Sequence, residues 1–317
     1  MPVTITGGIT FTGNGVTMVG APPSEATAGW FGGGYLNPGI SSTVDRITYA
    51  TDTATASVRG PLSAPTHSGL AAAGNTTDGW FGGGTPGTVS TVQRITYAID
   101  TATASVRGPL SQGKMTLAAT GNSTDAWFGG GSPGPLSTVD RITFATDTAT
   151  ASVRGPLSSA KRYLAAFGNS TDGWFGGGYG STPGGISRVD RITYATDTAT
   201  ASVRGPLSSS VYSLAATGNS TNAWFGGGYR PGTPLSSVDR ITYATDTSTA
   251  SVRGPLSLAR YILAAAGNSD YGWFGGGFPG PRSTVDRITY ATDTATASVR
   301  GPLSLARRGL AASAGIQ

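Results

Sequence analysis

The chain writes one pattern of apolar and polar positions six times over. In the third full unit a short run of small apolar residues, Leu164 to Phe167, ends at a polar cluster, Gly168-Asn169-Ser170-Thr171-Asp172. The aromatic pair Trp174-Phe175 then runs into Gly176-Gly177-Gly178. After a loop, Val189 to Ala195 (VDRITYA) mixes β-branched, aromatic and polar residues with the period of two that a strand requires. Thr196 to Thr200 reads as a Thr/Asp turn, and Ala201 to Pro206 (ASVRGP) as a short last strand whose proline is tolerated at an edge or end. Each unit thus carries four strand signals and no helical period. Neighbouring Trp and Phe in an extended chain point to opposite faces, which suits a sheet covered on both sides.

The fixed point of the pattern is GWFGGG, with Ala sometimes leading. Its tryptophans, Trp30, Trp80, Trp127, Trp174, Trp224 and Trp273, are all the tryptophans of the chain and recur every 47 to 50 residues. That period, with four short strands in each unit, predicts an all-β, six-bladed β-propeller of four-stranded antiparallel blades, and these tryptophans are expected to be structural. The 317 residues then make one stacked body, not two domains. Residues 1–28 do not match the unit; they alternate Thr, Val and Ile with Gly and read as an N-terminal strand-forming arm, leaving residues 29–317 as the propeller. Gly309 to Ile316 matches a first strand with no second strand after it, while the first GWFGGG lacks a first strand of its own. The C-terminal strand is therefore expected to complete blade 1 and leave no open sheet edge. The alternative is that Gly15 to Ala21 fills that place.

WFGGG, STVDRITYATDTAT and VRGPLS, with Ala259-Arg260 and Ala306-Arg307 after the last, resemble the kelch-repeat family of β-propellers. The unit departs from that pattern where Ala56-Ser57-Val58 stands in the last strand, because its Trp sits before the glycines. The Gly/Thr-rich opening and near-identical units also look like bacteriophage virion proteins that carry propellers on tails or capsids. That resemblance implies a virion localisation after assembly in the host cytoplasm, several copies, and docking on other virion proteins through the N-terminal arm.

Charge changes this picture by its distribution. The net charge is +5, from 21 basic and 16 acidic residues. Twelve of the basic residues are Arg46, Arg59 and their five equivalents each, and every acid but Glu25 falls within the repeated units. The units differ in the loop after Gly-Gly-Gly and in the connection after Pro-Leu-Ser. In an up-and-down blade both emerge on one face. That face is expected to carry Lys114, Lys161, Arg162, Arg188, Arg230, Arg260, Arg282, Arg307 and Arg308, with Tyr35, Tyr163, Tyr179, Tyr212, Tyr229, Tyr261, Phe278 and the single histidine, His67, and no acid. Arginine and aromatic loops on a rigid scaffold form an interaction surface, and one sign of charge selects an anionic partner.

Candidate chemistry is sparse. With no cysteine and one histidine, neither disulfides, thiolate metal sites nor a histidine-based triad away from His67 is available. No catalytic residue, metal site or cofactor is expected. The GNSTD and TDTAT stretches read as turns, not calcium loops, and nucleic acid is not the expected partner because no binding motif is present. The first thirty residues lack Lys and Arg and no long apolar run exists, so neither a secretion signal nor a membrane span is expected. The sequence reading is a non-enzymatic binding module, a tail fibre or tail-associated virion protein presenting a basic, aromatic loop face to a host glycan or receptor. The alternative is a structural virion or scaffold protein whose loop face binds a neighbouring chain.

Overall fold

A computed structural model describes residues 9–12, 15–18, 26–63, 68–181 and 184–315. The six units fold into six four-stranded antiparallel sheets set in a ring, a β-propeller. Blade 4 is typical, with Ala165–Gly168 innermost, then Asp172–Gly176, Val189–Thr193 and the outer Ser202–Arg204. Blade 1 is made from both ends of the chain. Ala311–Ala314 pairs with Ala28–Gly32, which pairs in turn with Val44–Thr48 and Ser57–Arg59. The C-terminal strand thus closes the ring as its sequence implies, and Gly15–Met18 pairs instead with Ile9–Thr12 in a separate hairpin. Ala26 and Ala28 are buried in the propeller core, so the ring begins a few residues before Gly29. The rest of the N-terminal arm lies outside the described residues.

Trp and Phe do leave opposite faces of their strand, and each seam between blades is packed by one of each. Trp174 shares a core cluster with Phe225 of blade 5, while Phe175 shares one with Trp127 of blade 3. The first glycine after the pair is required by this packing, since a Cβ on Gly176 would lie 2.7 Å from the Phe225 ring. Gly177 and Gly178 then turn the chain at φ of 66° and 113°, values that L side chains rarely adopt.

The sequence shows no helical period, yet each third strand ends in a single 3-10 turn. In blade 4 this is Tyr194–Thr196, capped by Asp197. The turn carries Tyr194 and Asp197 out of the strand and across the seam. The Tyr194 ring stacks on Trp127 of blade 3 at 3.9 Å between centroids. Asp197 Oδ2 accepts the indole N–H of Trp127 at 2.8 Å and an Arg141 Nη1–H at 3.2 Å, with Arg154 Nε 3.4 Å away. All six seams repeat this arrangement, the last joining Trp273 and Arg287 of blade 6 to Asp52 of blade 1. Arg46 and its equivalents therefore reach the next blade and do not pair with the acid beside them in sequence. No helix among the described residues is long and apolar enough to cross a membrane.

Replacing Asp147 by Ala leaves the Trp80 N–H and two arginines without their acceptor, and is expected to cost about 3–5 kcal/mol in denaturant unfolding. Asp147→Asn retains one acceptor and should cost less. Deleting residues 310–317 exposes the inner edge of Ala28–Gly32 and should abolish a single cooperative unfolding transition. Deleting residues 1–25 should leave the unfolding midpoint unchanged.

Candidate functional site

The connection entering each blade resolves into four positions with four different duties. In blade 4 they are Lys161, Arg162, Tyr163 and Leu164. The backbone here bridges loops on either side, so successive side chains alternate between the interior and the open face.

The first position is a buried anchor. Lys161 is fully buried; its Nζ lies 3.1 Å from Asp190 Oδ2 and donates to the Phe175 carbonyl at 2.9 Å. Arg260 donates to the carbonyls of Phe274, Gly276 and Thr284 and to Asp286 Oδ2, at 2.7–3.0 Å. Arg307 repeats this with Phe31, Gly33, Thr43 and Asp45, and Lys114 pairs with Asp140 at 3.0 Å. The serines of four Pro-Leu-Ser stretches, Ser111, Ser158, Ser257 and Ser304, donate to the same acids. Burial pulls the Lys114 and Lys161 ammonium groups down from their ordinary value, and their aspartates pull them back. Lys114, Lys161, Arg260 and Arg307 are thus not face residues. The sequence reading placed them there because one-dimensional variability does not show which way a side chain points, and it overlooked the four acids beneath them.

The second position is displayed. Each such residue forms a β-bridge with the residue after Gly-Gly-Gly: Arg308 with Tyr35, Met115 with Ser132, Arg162 with Tyr179, Tyr212 with Tyr229 and Tyr261 with Phe278. In blade 2 Thr85 N–H donates to the Ser68 carbonyl. Four blades in succession, 4, 5, 6 and 1, therefore present aromatic or arginine pairs, and blades 2 and 3 have small or aliphatic residues there, with Ser132 buried.

The third position closes a circle that the sequence does not announce. Gly69, Thr116, Tyr163, Ser213, Ile262 and Gly309 all have φ between 56° and 72°. Each donates its N–H to the carbonyl of the same position in the preceding blade, at 2.6–2.9 Å, and Gly69 donates to Gly309. The signal for it was glycine at two of six aligned positions. The fourth position is a buried leucine. Together the circle and the leucines line a central recess of about 340 Å³, rimmed by Tyr35, Tyr163 and Arg308.

Around that recess runs a continuous crescent. Arg162 lies over Tyr163 and Tyr179, 5.5 Å from each ring centroid. Tyr179 and Tyr212 meet edge-on at 5.4 Å, Tyr212 and Tyr229 at 5.5 Å and Tyr261 and Phe278 at 5.4 Å, while Tyr229 and Tyr261 pack tilted at 4.7 Å. Arg308 ends the run, 4.7 Å from the Phe278 centroid and 4.8 Å from that of Tyr35. Partial burial raises the Tyr212 phenol above its ordinary value and the neighbouring tyrosines add to it, so its hydroxyl stays a protonated donor. The structure thus brings together Tyr35, Arg162, Tyr163, Tyr179, Tyr212, Tyr229, Tyr261, Phe278 and Arg308. Arg188 and Arg230 are exposed outside the crescent, and Arg282 is half-buried beside the Arg307 backbone. His67 lies outside the described residues.

At the opposite end of the axis the inner strands enclose a cavity of about 130 Å³ lined by Ala, Gly, Ser, Thr, Asn and Phe167. Among the described residues no three His, Cys, Asp or Glu side chains come together as a metal-ligand group. Fold and face define a six-bladed β-propeller repeat protein whose loop end is asymmetric. No protein-family model and no curated protein matches the chain.

Arg307→Ala leaves Asp45 buried without its cation and is expected to lose about 3–5 kcal/mol of stability. Arg308→Ala should stay within about 1 kcal/mol, because its guanidinium packs on rings at the rim. Urea unfolding of the two variants side by side checks the division between anchor and displayed positions.

Proposed function

We propose that this propeller is a non-enzymatic binding module and that the crescent from Arg162 to Tyr35 is where it takes a surface glycan carrying anionic groups. The observation that carries the reading is the unbroken run of seven aromatic rings with an arginine toward each end, confined to four adjacent blades. Stacked hydrogen-bonded seams hold the blades, so the rings are pre-organised and little entropy is lost on binding. Aromatic faces carry negative charge density and accept the C–H faces of sugar rings, while tyrosine hydroxyls and guanidinium groups meet hydroxyls and carboxylates. The buried acids other than Asp239 are committed to seams or to anchors, which favours binding over acid-base chemistry. The setting we propose, from the kelch-like repeat and virion resemblance, is the tail of a bacteriophage particle, with the N-terminal arm toward the particle and the crescent toward the host.

Purified protein tested against acidic and neutral surface polysaccharides at low and moderate salt should bind an acidic one, more weakly as salt rises. Alanine at Tyr212, Tyr229 or Arg308 should each lower that affinity about tenfold, whereas alanine at Ser68, Met115 or Ser132 should leave it unchanged. Binding to no glycan, with capture of an acidic protein lost in the same three variants, would replace the glycan with a neighbouring chain.

A further inference from the structure

Four blades balance the charge of a buried anchor, and blade 5 does not. In blades 1, 3, 4 and 6 a buried Lys or Arg faces a buried Asp. In blade 2 the acid's place is taken by neutral Gln93, where the aligned anchor position is His67. In blade 5 the acid remains as Asp239 while the anchor is Val211, and both are buried, at 6% and 5% exposure.

The backbone around this pair is that of its neighbours. Phe225 stands opposite Asp239 as Phe274 stands opposite Asp286, and Gly227 N–H donates to Ser237 O as Gly276 N–H does to Thr284 O. Val211 N–H donates to Ile186 O as Arg260 N–H does to Leu235 O. Blade 5 therefore repeats the four oxygens that hold Arg260: the carbonyls of Phe225, Gly227 and Ser237 and the Asp239 carboxylate. Val211 ends at its γ carbons, three bonds short of where Nζ of a lysine would lie. Ser208 donates its N–H and Oγ–H to Asp239 at 2.8 and 2.7 Å, and both bonds favour the charged carboxylate.

We propose that the blade 5 anchor site binds a potassium or ammonium ion between Asp239 and the carbonyls of Phe225, Gly227 and Ser237. The ion does from solution what Arg260 and Lys161 do covalently. One carboxylate calls for one positive charge, and a divalent ion would leave an excess that the pairs of blades 1, 3, 4 and 6 do not carry. Lys161 Nζ keeps oxygens at 2.9 and 3.1 Å, a spacing that suits an ammonium-sized ion better than the smaller sodium. Burial raises the Asp239 carboxyl above its usual range, the expected response of an acid without a fixed counter-charge. A proton alone would satisfy one of three carbonyls, whereas a cation satisfies all three together.

Thermal unfolding of the full chain in potassium chloride and in choline chloride at equal ionic strength tests the site. The wild-type midpoint should rise by several degrees with potassium and saturate, because the ion binds the folded state alone. Val211→Lys supplies the ammonium from within, so its midpoint should no longer depend on potassium. Asp239→Asn should lose the same dependence, and it tests the site even where the lysine variant does not fold. Equal wild-type midpoints in the two salts, or a potassium effect undiminished in Asp239→Asn, would overturn the assignment.

Discussion

The whole ring rests on one carboxylate per seam. A propeller blade has two apolar faces and cannot stand alone, so each blade must be joined to the next by something more directional than apolar contact. The acid at the end of the 3-10 turn does this. Asp197, for example, reaches over the seam to receive an indole N–H and to face two guanidinium groups of the preceding blade. Burying a tryptophan contributes a large apolar area but strands its N–H unless an acceptor is placed there. Every blade gives an acid to one neighbour and a Trp with two arginines to the other. The arrangement is complete only when Asp52 of blade 1 meets Trp273 of blade 6. That is why the two chain ends must meet in one sheet.

With the seams held at the turn end, the loop end is held by a different device. The circle of left-handed residues links six backbones by hydrogen bonds, at a cost of about 1–3 kcal/mol for each non-glycine member. Below it, in blades 1, 3, 4 and 6, the anchors tie the connection to its own blade through a buried ion pair. Such pairs contribute less to stability than to fixing a geometry, since desolvation offsets much of their attraction. Here they hold the displayed residue of each connection against the loop after Gly-Gly-Gly. The consequence for function is a rigid frame in which one position per connection and one per loop vary freely.

Those two free positions are where six-fold symmetry is given up. Blades 2 and 3 carry Ser68, Thr85, Met115 and Ser132, and the other four carry rings and guanidinium groups that touch one another in sequence around the recess. The asymmetry cannot come from the scaffold, which repeats closely; it comes from side chains the scaffold leaves unconstrained. An elongated ligand lying along one side of the ring is the shape such a crescent fits.

The repeat period, the four strand signals in each unit and the unpaired C-terminal strand were legible in the sequence, because each is a local or periodic property of the chain. Trp174-Phe175-Gly176 even showed that both faces of its strand would be covered. What the sequence could not show was the direction of residues in the connections. Arg307 and Arg308 are adjacent and identical in kind, yet one is sealed against Asp45 and the other lies on two aromatic rings at the rim. Asp45 and Arg46, adjacent and opposite in charge, pair with different blades' worth of partners, not with each other. Side-chain direction there is set by bridges between segments far apart in the chain. Tertiary structure alone therefore decided which charges are structural, which form the crescent, and which acid, Asp239, is left without its cation.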